Sequence, residues 1–407
     1  MSEEPQYHNV ILFGAGASAD AGVPMLGSFV DKMWEYAIRE KVGDKPVYGE
    51  DLEILKEAQK IRYSLEEYAN RAYFDNSNLE DILSLLAFQA LYGEGERRNF
   101  ETMVQAVART IELSCRFQYQ QSDLPSGGLI RPEPPIQAHN LYSALWRNLL
   151  VQYKQQNPLA IITFNYDMVL ERTLADCFFE TKKQGEPRMA SCAFKYSLPP
   201  NDFVIYSREL RQTLVKPGDI ASICGPGFQH VQFQLGDKTA LEIPYFKLHG
   251  SLNWDSYDTA GVQPKHQPLN VAKTPLILPP VFNKMKTGVV DNIWAGALKV
   301  LRSAKHIIIV GYSLPRTDIY MQYFLKSAVG PNKDLQKVIV FNPALYRNDD
   351  EATDMKLRYS ECFSPQFNKR IIFDPLGSSG MSEDTRGTFV HFGQILHAKP
   401  KELFFLP

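Results

Sequence analysis

The stretch that decides the fold is VILFGAGASA, residues 10–19. Its first four residues are apolar and stop at Gly14, which is typical of a buried strand entering a turn. From Gly14 to Ala19 the residues match G-x-G-x-x-A, a pattern in which glycines let a pyrophosphate approach the backbone at a helix N-terminus. The pattern predicts a nucleotide-binding turn, in which Ser18 caps the helix or donates to phosphate. Small residues also occur at such turns simply to allow close packing.

Helical periodicity follows this turn. Between 28 and 153 apolar residues recur at the spacing of one helix face, for example at Leu79, Ile82, Leu83 and Leu86. An ordinary dinucleotide fold has a second strand within about 30 residues, ending in an acidic residue for the ribose. Helices occupy that place here, so we predict a helical insertion at 28–153 and disfavour an ordinary dehydrogenase.

Short apolar runs return after the helical segment. They alternate with turn residues and helices, which predicts an α/β Rossmann-like fold, a parallel sheet covered by helices on both faces. We expect one domain over 8–345, with an irregular insertion at 180–240, and a C-terminal extension at 346–407 whose segments 371–373 and 389–392 form edge strands. The apolar runs lie at 159–164, 245–248, 275–278, 306–310 and 338–341.

Composition excludes several classes of protein. Of the 407 residues, 44 are Lys or Arg and 46 are Asp or Glu, so the net charge of −2 argues against direct nucleic-acid binding by bulk electrostatics. No segment approaches the roughly 20 apolar residues that cross a bilayer, and the N-terminus lacks the features of a signal peptide. The five cysteines contain no C-x-x-C pair and suit a reducing compartment. We therefore expect a cytoplasmic protein with no membrane partner and no bound metal.

Polar residues follow several of the predicted strands, where ligands bind in open parallel sheets. Asn165 and Asp167 come after the run at 159–164, although Asn165 can also start a turn and Asp167 can cap the next helix. His249 stands before a glycine and is a candidate general base, because its pKa lies near neutrality; a lone histidine is also often structural. Asn342 could bond a ribose or start a turn. The segment GYSLPRTD, residues 311–318, opens a helix that Thr317 or Asp318 would cap.

The order of these motifs resembles the sirtuin-like family. The segments are GAGAS (14–18), TFNYD (163–167), KLHGSL (247–252) and GYSLP (311–315). They look closest to the bacterial antiphage-defence branch of NAD hydrolases, the kind paired with a HerA-type ATPase. The resemblance implies NAD as substrate, Asn165 and Asp167 at the nicotinamide ribose and His249 as catalytic base. It also implies nucleotide-binding roles for Gly14, Ala15, Gly16, Ser18, Ala19, Gly311, Ser313 and Asn342.

Two departures from sirtuin deacylases bear on the reaction. Those enzymes carry a zinc ribbon with two C-x-x-C pairs, which the scattered cysteines of this chain cannot form. Their Gly-Ile-Pro segment also continues into Asp-Phe-Arg, whereas Pro24 here precedes Met-Leu-Gly. We therefore predict water as the acceptor, with hydrolysis of NAD to ADP-ribose and nicotinamide. A protein deacylase and a non-catalytic nucleotide sensor remain as alternatives, and uncontrolled NAD loss suggests gating by self-assembly and a partner.

Overall fold

Five-residue apolar strands build the centre of the molecule. The computed structural model describes residues 7–67, 71, 74–115, 141–142, 145–146, 148–149, 159–173, 191–196, 203–207, 213–215, 241–255, 271–272, 274–278, 291–347, 349–374 and 385–405. The strands described are β1 (Asn9–Phe13), β2 (Lys41–Val42), β3 (Lys45–Pro46), β4 (Leu159–Thr163), β5 (Ser191–Tyr196), β6 (Phe203–Ser207), β7 (Thr213–Val215), β8 (Leu241–Lys247), β9 (Gly250–Asp255), β10 (Pro275–Ile277), β11 (His306–Val310), β12 (Lys337–Phe341) and β13 (Ile371–Ile372).

The largest sheet has nine strands in the order β13-β12-β11-β1-β4-β8-β5-β6-β7. Pairing is parallel from β13 to β5, and β6 and β7 add an antiparallel edge. Every residue of β1, β4 and β11 is buried. Because successive side chains point to opposite faces of a strand, burial of all of them means that both faces of the sheet are covered. The predicted α/β Rossmann-like fold is confirmed.

The α-helices with assigned bounds are α1 (Leu26–Arg39), α2 (Gly49–Glu66), α3 (Leu79–Gln89), α4 (Glu94–Ser114), α5 (Asp291–Ser303), α6 (Ile319–Val329), α7 (Asp350–Ser360), α8 (Phe389–Ala398) and α9 (Pro400–Leu403). Helices α1 to α4 lie between β1 and β4 and share a hydrophobic core that includes Met33, Leu55, Ile82 and Met103. None of the described helices is both long and apolar enough to cross a membrane.

Two segments differ from the expectation. Residues 389–392, predicted as a strand, belong to α8, because Thr388 caps a helix there and places Phe389 and Phe392 on one buried face. The run at 275–278 forms β10, which pairs antiparallel with β9 in a separate sheet. Within the region 180–240, predicted as an irregular insertion with short β-like pieces, the structure describes the strands β5, β6 and β7.

Candidate active site

Strand register brings the predicted polar residues to one edge of the sheet. Phe13 pairs with both Val310 and Thr163, and Thr163 pairs with Lys247. The loops after β1, β4, β8 and β11 therefore leave the sheet at the same level. This is the carboxyl edge of the parallel strands, where open α/β sheets bind ligands.

The glycines of the first loop pack against the loop after β11. The Gly14 N–H donates to the Val310 carbonyl and the Gly16 N–H to the Gly311 carbonyl, each at 2.9 Å. Gly311 has φ +69°, and a Cβ on it would lie 2.4 Å from the Ala17 nitrogen. Since the Ala17 N–H also donates to the Gly14 carbonyl, these three N–H groups already have protein acceptors. Close backbone packing, the alternative that the sequence left open, therefore accounts for these glycines.

The first loop continues as a short 3₁₀ helix, Ala15–Ala21, with Gly14 as its N-cap and no side-chain cap. The prediction that Ser18 caps this helix is wrong, because Ser18 lies inside it. Its Oγ instead accepts a hydrogen bond from Asn165 Nδ2 at 2.9 Å. The side-chain oxygen of Ser18 thus bonds to the loop after β4, and this bond does not use its hydroxyl hydrogen.

Asn165 joins the loops after β1 and β4. Its Nδ2 donates to the Gly14 carbonyl and to Ser18 Oγ, both at 2.9 Å, and its backbone N–H donates to Thr163 Oγ1 at 3.1 Å. Both amide protons are therefore used. The side-chain oxygen finds no hydrogen-bond partner among the residues that the structure describes, so it can accept a bond from a hydroxyl group or a water molecule.

Asp167 is buried and caps the helical segment at 169–173. Its Oδ1 accepts a hydrogen bond from the Val169 N–H at 2.9 Å, as the structural alternative proposed. Its backbone carbonyl accepts a bond from Lys247 Nζ. A carboxylate oxygen held in this way fixes the direction of the side chain beside Asn165.

His249 occupies an aromatic enclosure. Its ring centroid lies 5.6 Å from that of Phe164, 6.2 Å from that of Tyr166 and 6.3 Å from that of Trp294. Gly250 follows with φ +88°, and a Cβ there would come within 2.1 Å of the Leu276 carbonyl oxygen. The glycine after His249 is therefore required by the tight passage from β8 to β9 against β10.

A mostly apolar pocket of about 110 Å³ opens beside Asn165 and Asp167. Asn165 and Asp167 are the polar residues of its lining, and much of the rest comes from the helices between β1 and β4. Phe164 and Tyr166 also line it. His249 contacts both of these rings but is not one of the described residues that line the pocket. The helical side chains of the wall are Leu26, Phe29, Leu79, Leu83, Val104, Val107 and Ile111.

Sequence reasoning missed this pocket. The apolar face of α3 was visible in the sequence, but a side chain that lines a pocket has the same pattern as one that fills a core. Pocket walls of this kind carry no polar signal. Only the fold shows that α3 and α4 face the loop containing Asn165.

The loops after β11 and β12 are fixed by internal bonds. Tyr312 packs on Phe164, with ring centroids 4.4 Å apart, and its hydroxyl donates to Asp318, the residue that caps α6 as predicted. Asn342 Nδ2 donates to the Tyr312 carbonyl at 3.4 Å, and Asn342 Oδ1 accepts from the Ala344 N–H at 3.0 Å. Asn342 thus starts a turn, the second of the two roles considered for it.

Ser313 lies on the same loop, half-buried, and its backbone carbonyl accepts a hydrogen bond from Arg358 of α7 at 3.2 Å. The structure therefore anchors its backbone from the C-terminal part of the chain. Among the described residues, no group of three or more His, Cys, Asp or Glu side chains is placed to hold a metal ion. Cys115 and Cys362 are both buried free thiols.

Comparison with known proteins found similar solved structures at low sequence identity. No protein-family model matches the chain, and no curated protein matches it. Among solved structures, it is similar to an enzyme from a structural study of Sir2 mechanism and regulation, at 13% identity and a TM-score of 0.36, over 97% of this chain and 94% of the other. It is also similar to Sir2Tm bound to a propionylated peptide, at 12% identity and a TM-score of 0.33, with the same coverage. The fold assignment rests on the strand pairing described above.

Proposed function

We propose that this chain is a sirtuin-like NAD hydrolase that cleaves the nicotinamide–ribose bond to give nicotinamide and ADP-ribose. The observation that carries the proposal is the pocket beside Asn165 and Asp167. Its volume of about 110 Å³ is comparable to the roughly 150 Å³ of an apolar cavity that takes up one benzene ring. Nicotinamide, a flat ring with one amide group that becomes uncharged as it leaves, suits a site with mostly apolar walls and the polar residues Asn165 and Asp167 in its lining.

The reaction needs little from the protein at the leaving group. When the bond between the ribose carbon and the ring nitrogen breaks, its electron pair neutralises the cationic pyridinium, and nicotinamide leaves without a proton. The ribose is left with oxocarbenium character, which the carboxylate of Asp167 would stabilise. The open oxygen of Asn165 would orient the water that attacks the ribose. A general base then accepts the proton of that water, for which His249 is the candidate, with a contribution of about 100- to 10,000-fold.

A nucleotide sensor without catalysis is the second candidate. It is favoured by the position of His249, whose ring contacts Phe164 and Tyr166, residues that line the pocket, without itself lining it. Sensing requires the pocket and the loops but no base that reaches the water. A protein deacylase is the third candidate, and it would use the same Asn165 and His249.

Release of nicotinamide from NAD, followed by chromatography, tests the proposal. We expect turnover by the wild-type chain and its loss in Asn165→Ala and in His249→Ala, both folded. Asn332→Ala is the matched control, because Asn332 also donates from its amide to two oxygens, at 2.8 Å each, away from the site. Near-wild-type turnover in either site variant would remove the role given to that residue.

The same assay separates the other candidates. Nicotinamide release that requires an added acyl-lysine peptide would identify a deacylase. Calorimetric binding of intact NAD with no product after several hours would identify a sensor. Either outcome would contradict hydrolysis as the primary activity.

We further propose an antiviral role in which the cytoplasmic enzyme depletes cellular NAD. An enzyme with that effect needs restraint, so we propose a homo-oligomer whose activity depends on assembly and on a hexameric HerA-type ATPase. Light scattering combined with NAD consumption, with and without a co-encoded ATPase, tests this control. Full activity in a dilute, partner-free monomer would argue against it.

A further inference from the structure

A buried ion pair contacts the segment that carries Asn165 and Asp167. Lys247, the last residue of β8, places its Nζ 2.8 Å from Glu171 Oε1, and both side chains are 0% exposed. The hydroxyl of Tyr245 donates to the other carboxylate oxygen of Glu171 at 3.2 Å. Neither member of the pair lines the pocket, and the proposed chemistry uses neither.

The ammonium group of Lys247 makes a second bond, to the backbone carbonyl of Asp167 at 2.5 Å. Asp167 in turn caps the helical segment at 169–173, on which Glu171 lies. These contacts form a closed ring from Lys247 through the Asp167 carbonyl and the helix to Glu171 and back. The backbone of the site segment therefore cannot shift relative to β8 unless a buried, charge-assisted hydrogen bond is broken.

Stability alone is a poor reason for charges in this place. Moving two charges out of water carries a large desolvation cost, and apolar residues of similar volume often replace a buried pair with no loss of stability. An apolar side chain, however, has no N–H group to donate to the Asp167 carbonyl. The distinctive property of Lys247 is thus the directed bond to the site backbone.

We propose that Lys247 is a positioning residue, which fixes the Asp167 carbonyl and thereby aims the side chains of Asn165 and Asp167 at the pocket. The proposal rests on the proposed function for its effect on turnover. Its effect on the backbone is independent of the reaction. Since a displacement of about 1 Å at a reacting group can lower a rate about 100-fold, the bond is expected to act on kcat.

The test replaces both members of the pair, so that no buried charge is left alone. We expect the variant Lys247→Met with Glu171→Met to unfold at a similar urea concentration to wild type, with kcat for nicotinamide release about 100-fold lower and KM little changed. The variant Lys247→Gln with Glu171→Gln keeps an N–H donor, and we expect it to recover part of the lost kcat. Equal kcat in the two folded variants would overturn the proposal.

A matched control comes from the same helical segment. The buried Arg172 and the partly exposed Glu112 form another ion pair, with nitrogen–oxygen distances of 3.0 and 2.9 Å, and this pair makes no hydrogen bond to Asp167. Replacing both with methionine should leave kcat near the wild-type value. If this control loses as much kcat as the Lys247→Met/Glu171→Met variant, the effect belongs to the whole helix, and the specific role of Lys247 is refuted.

Hydrogen exchange separates this proposal from the proposed function. The Val169 N–H, which donates to Asp167, should exchange faster in the double-methionine variant than in wild type and be slowed again in the double-glutamine variant. If the wild-type chain releases no nicotinamide but this pattern appears, the proposed function fails and the positioning role stands. Unchanged exchange in all variants would overturn the positioning role, whatever the activity.

Discussion

Replacing Gly311 with alanine tests the packing between the loops after β1 and β11. The added methyl group would lie 2.4 Å from the Ala17 nitrogen and 2.6 Å from the Gly16 carbonyl carbon. Both contacts are to backbone atoms, which cannot rotate away as a side chain does. The loop that carries Gly311 must therefore move away from the first loop, whose carbonyl at Gly14 accepts a bond from Asn165.

The magnitude has two parts. Gly311 has φ +69°, and a non-glycine residue in the left-handed region costs about 1–2 kcal/mol. Forcing extra atoms into a packed site costs a further 1–3 kcal/mol or so. We expect the free energy of unfolding to fall by about 2–5 kcal/mol, a large share of the roughly 5–15 kcal/mol typical of a folded protein.

Equilibrium unfolding in urea, followed by tryptophan fluorescence and circular dichroism, measures the change. The control is Gly27→Ala on α1, where an added Cβ meets no atom within 4 Å. Alanine is the better helix former by about 1 kcal/mol, so this variant should be as stable as wild type or more so. If Gly311→Ala unfolds at the wild-type midpoint, the loops are not packed as described and the reasoning is refuted.

Three further predictions concern the pocket, the helical region and pH. Val107→Phe should fill the pocket and weaken inhibition of NAD cleavage by added nicotinamide, with little change in melting temperature; unchanged inhibition would place nicotinamide elsewhere. Glu112→Ala removes the carboxylate from the buried Arg172 and should lower the free energy of unfolding in urea by about 3–5 kcal/mol; a loss within error of zero would contradict a structural role for that pair. Burial lowers the pKa of His306 below its ordinary value of about 6.5, against the opposing effect of its bond to the Leu403 carbonyl. The stability that the neutral ring contributes is complete above the ordinary pKa of about 6.5 and is lost as pH falls through the lower pKa of the folded state. The urea midpoint should therefore be lower at pH 5.5 than at pH 7.5. This difference between the two midpoints should shrink in His306→Gln.

The central strands could be predicted from sequence because each is a short apolar run next to a turn. The runs that form β1, β4 and β11 are shorter than a typical helix, and that length favours a strand. The segment at 389–392 fits two interpretations. Two phenylalanines three residues apart fit one face of a helix as well as a β-rich run, and the cap at Thr388 decides for the helix. Periodicity over four residues cannot separate the two.

The candidate site was also predictable only in part. Its position at the strand ends follows from parallel pairing, so the proximity of Asn165 to the glycine loop was accessible from the sequence. The hydrogen bonds that occupy the N–H groups of the first loop were not accessible from the sequence. They depend on the loop that carries Gly311, almost 300 positions away in the chain, which comes into register with the first loop only in the folded sheet. Long-range register of this kind leaves no local signal.

The helices between β1 and β4 matter to the site through their core. That core includes Met168, Leu252 and Ile277, which lie beside the loops after β4 and β8, and Ile277 also lines the pocket. The pocket is therefore bounded on one side by the loops of the sheet and on the other by α1, α3 and α4. Any displacement of these helices consequently changes the wall of the pocket before it changes the sheet, which makes the helical region the part of the fold best placed to alter ligand binding without disturbing the strands.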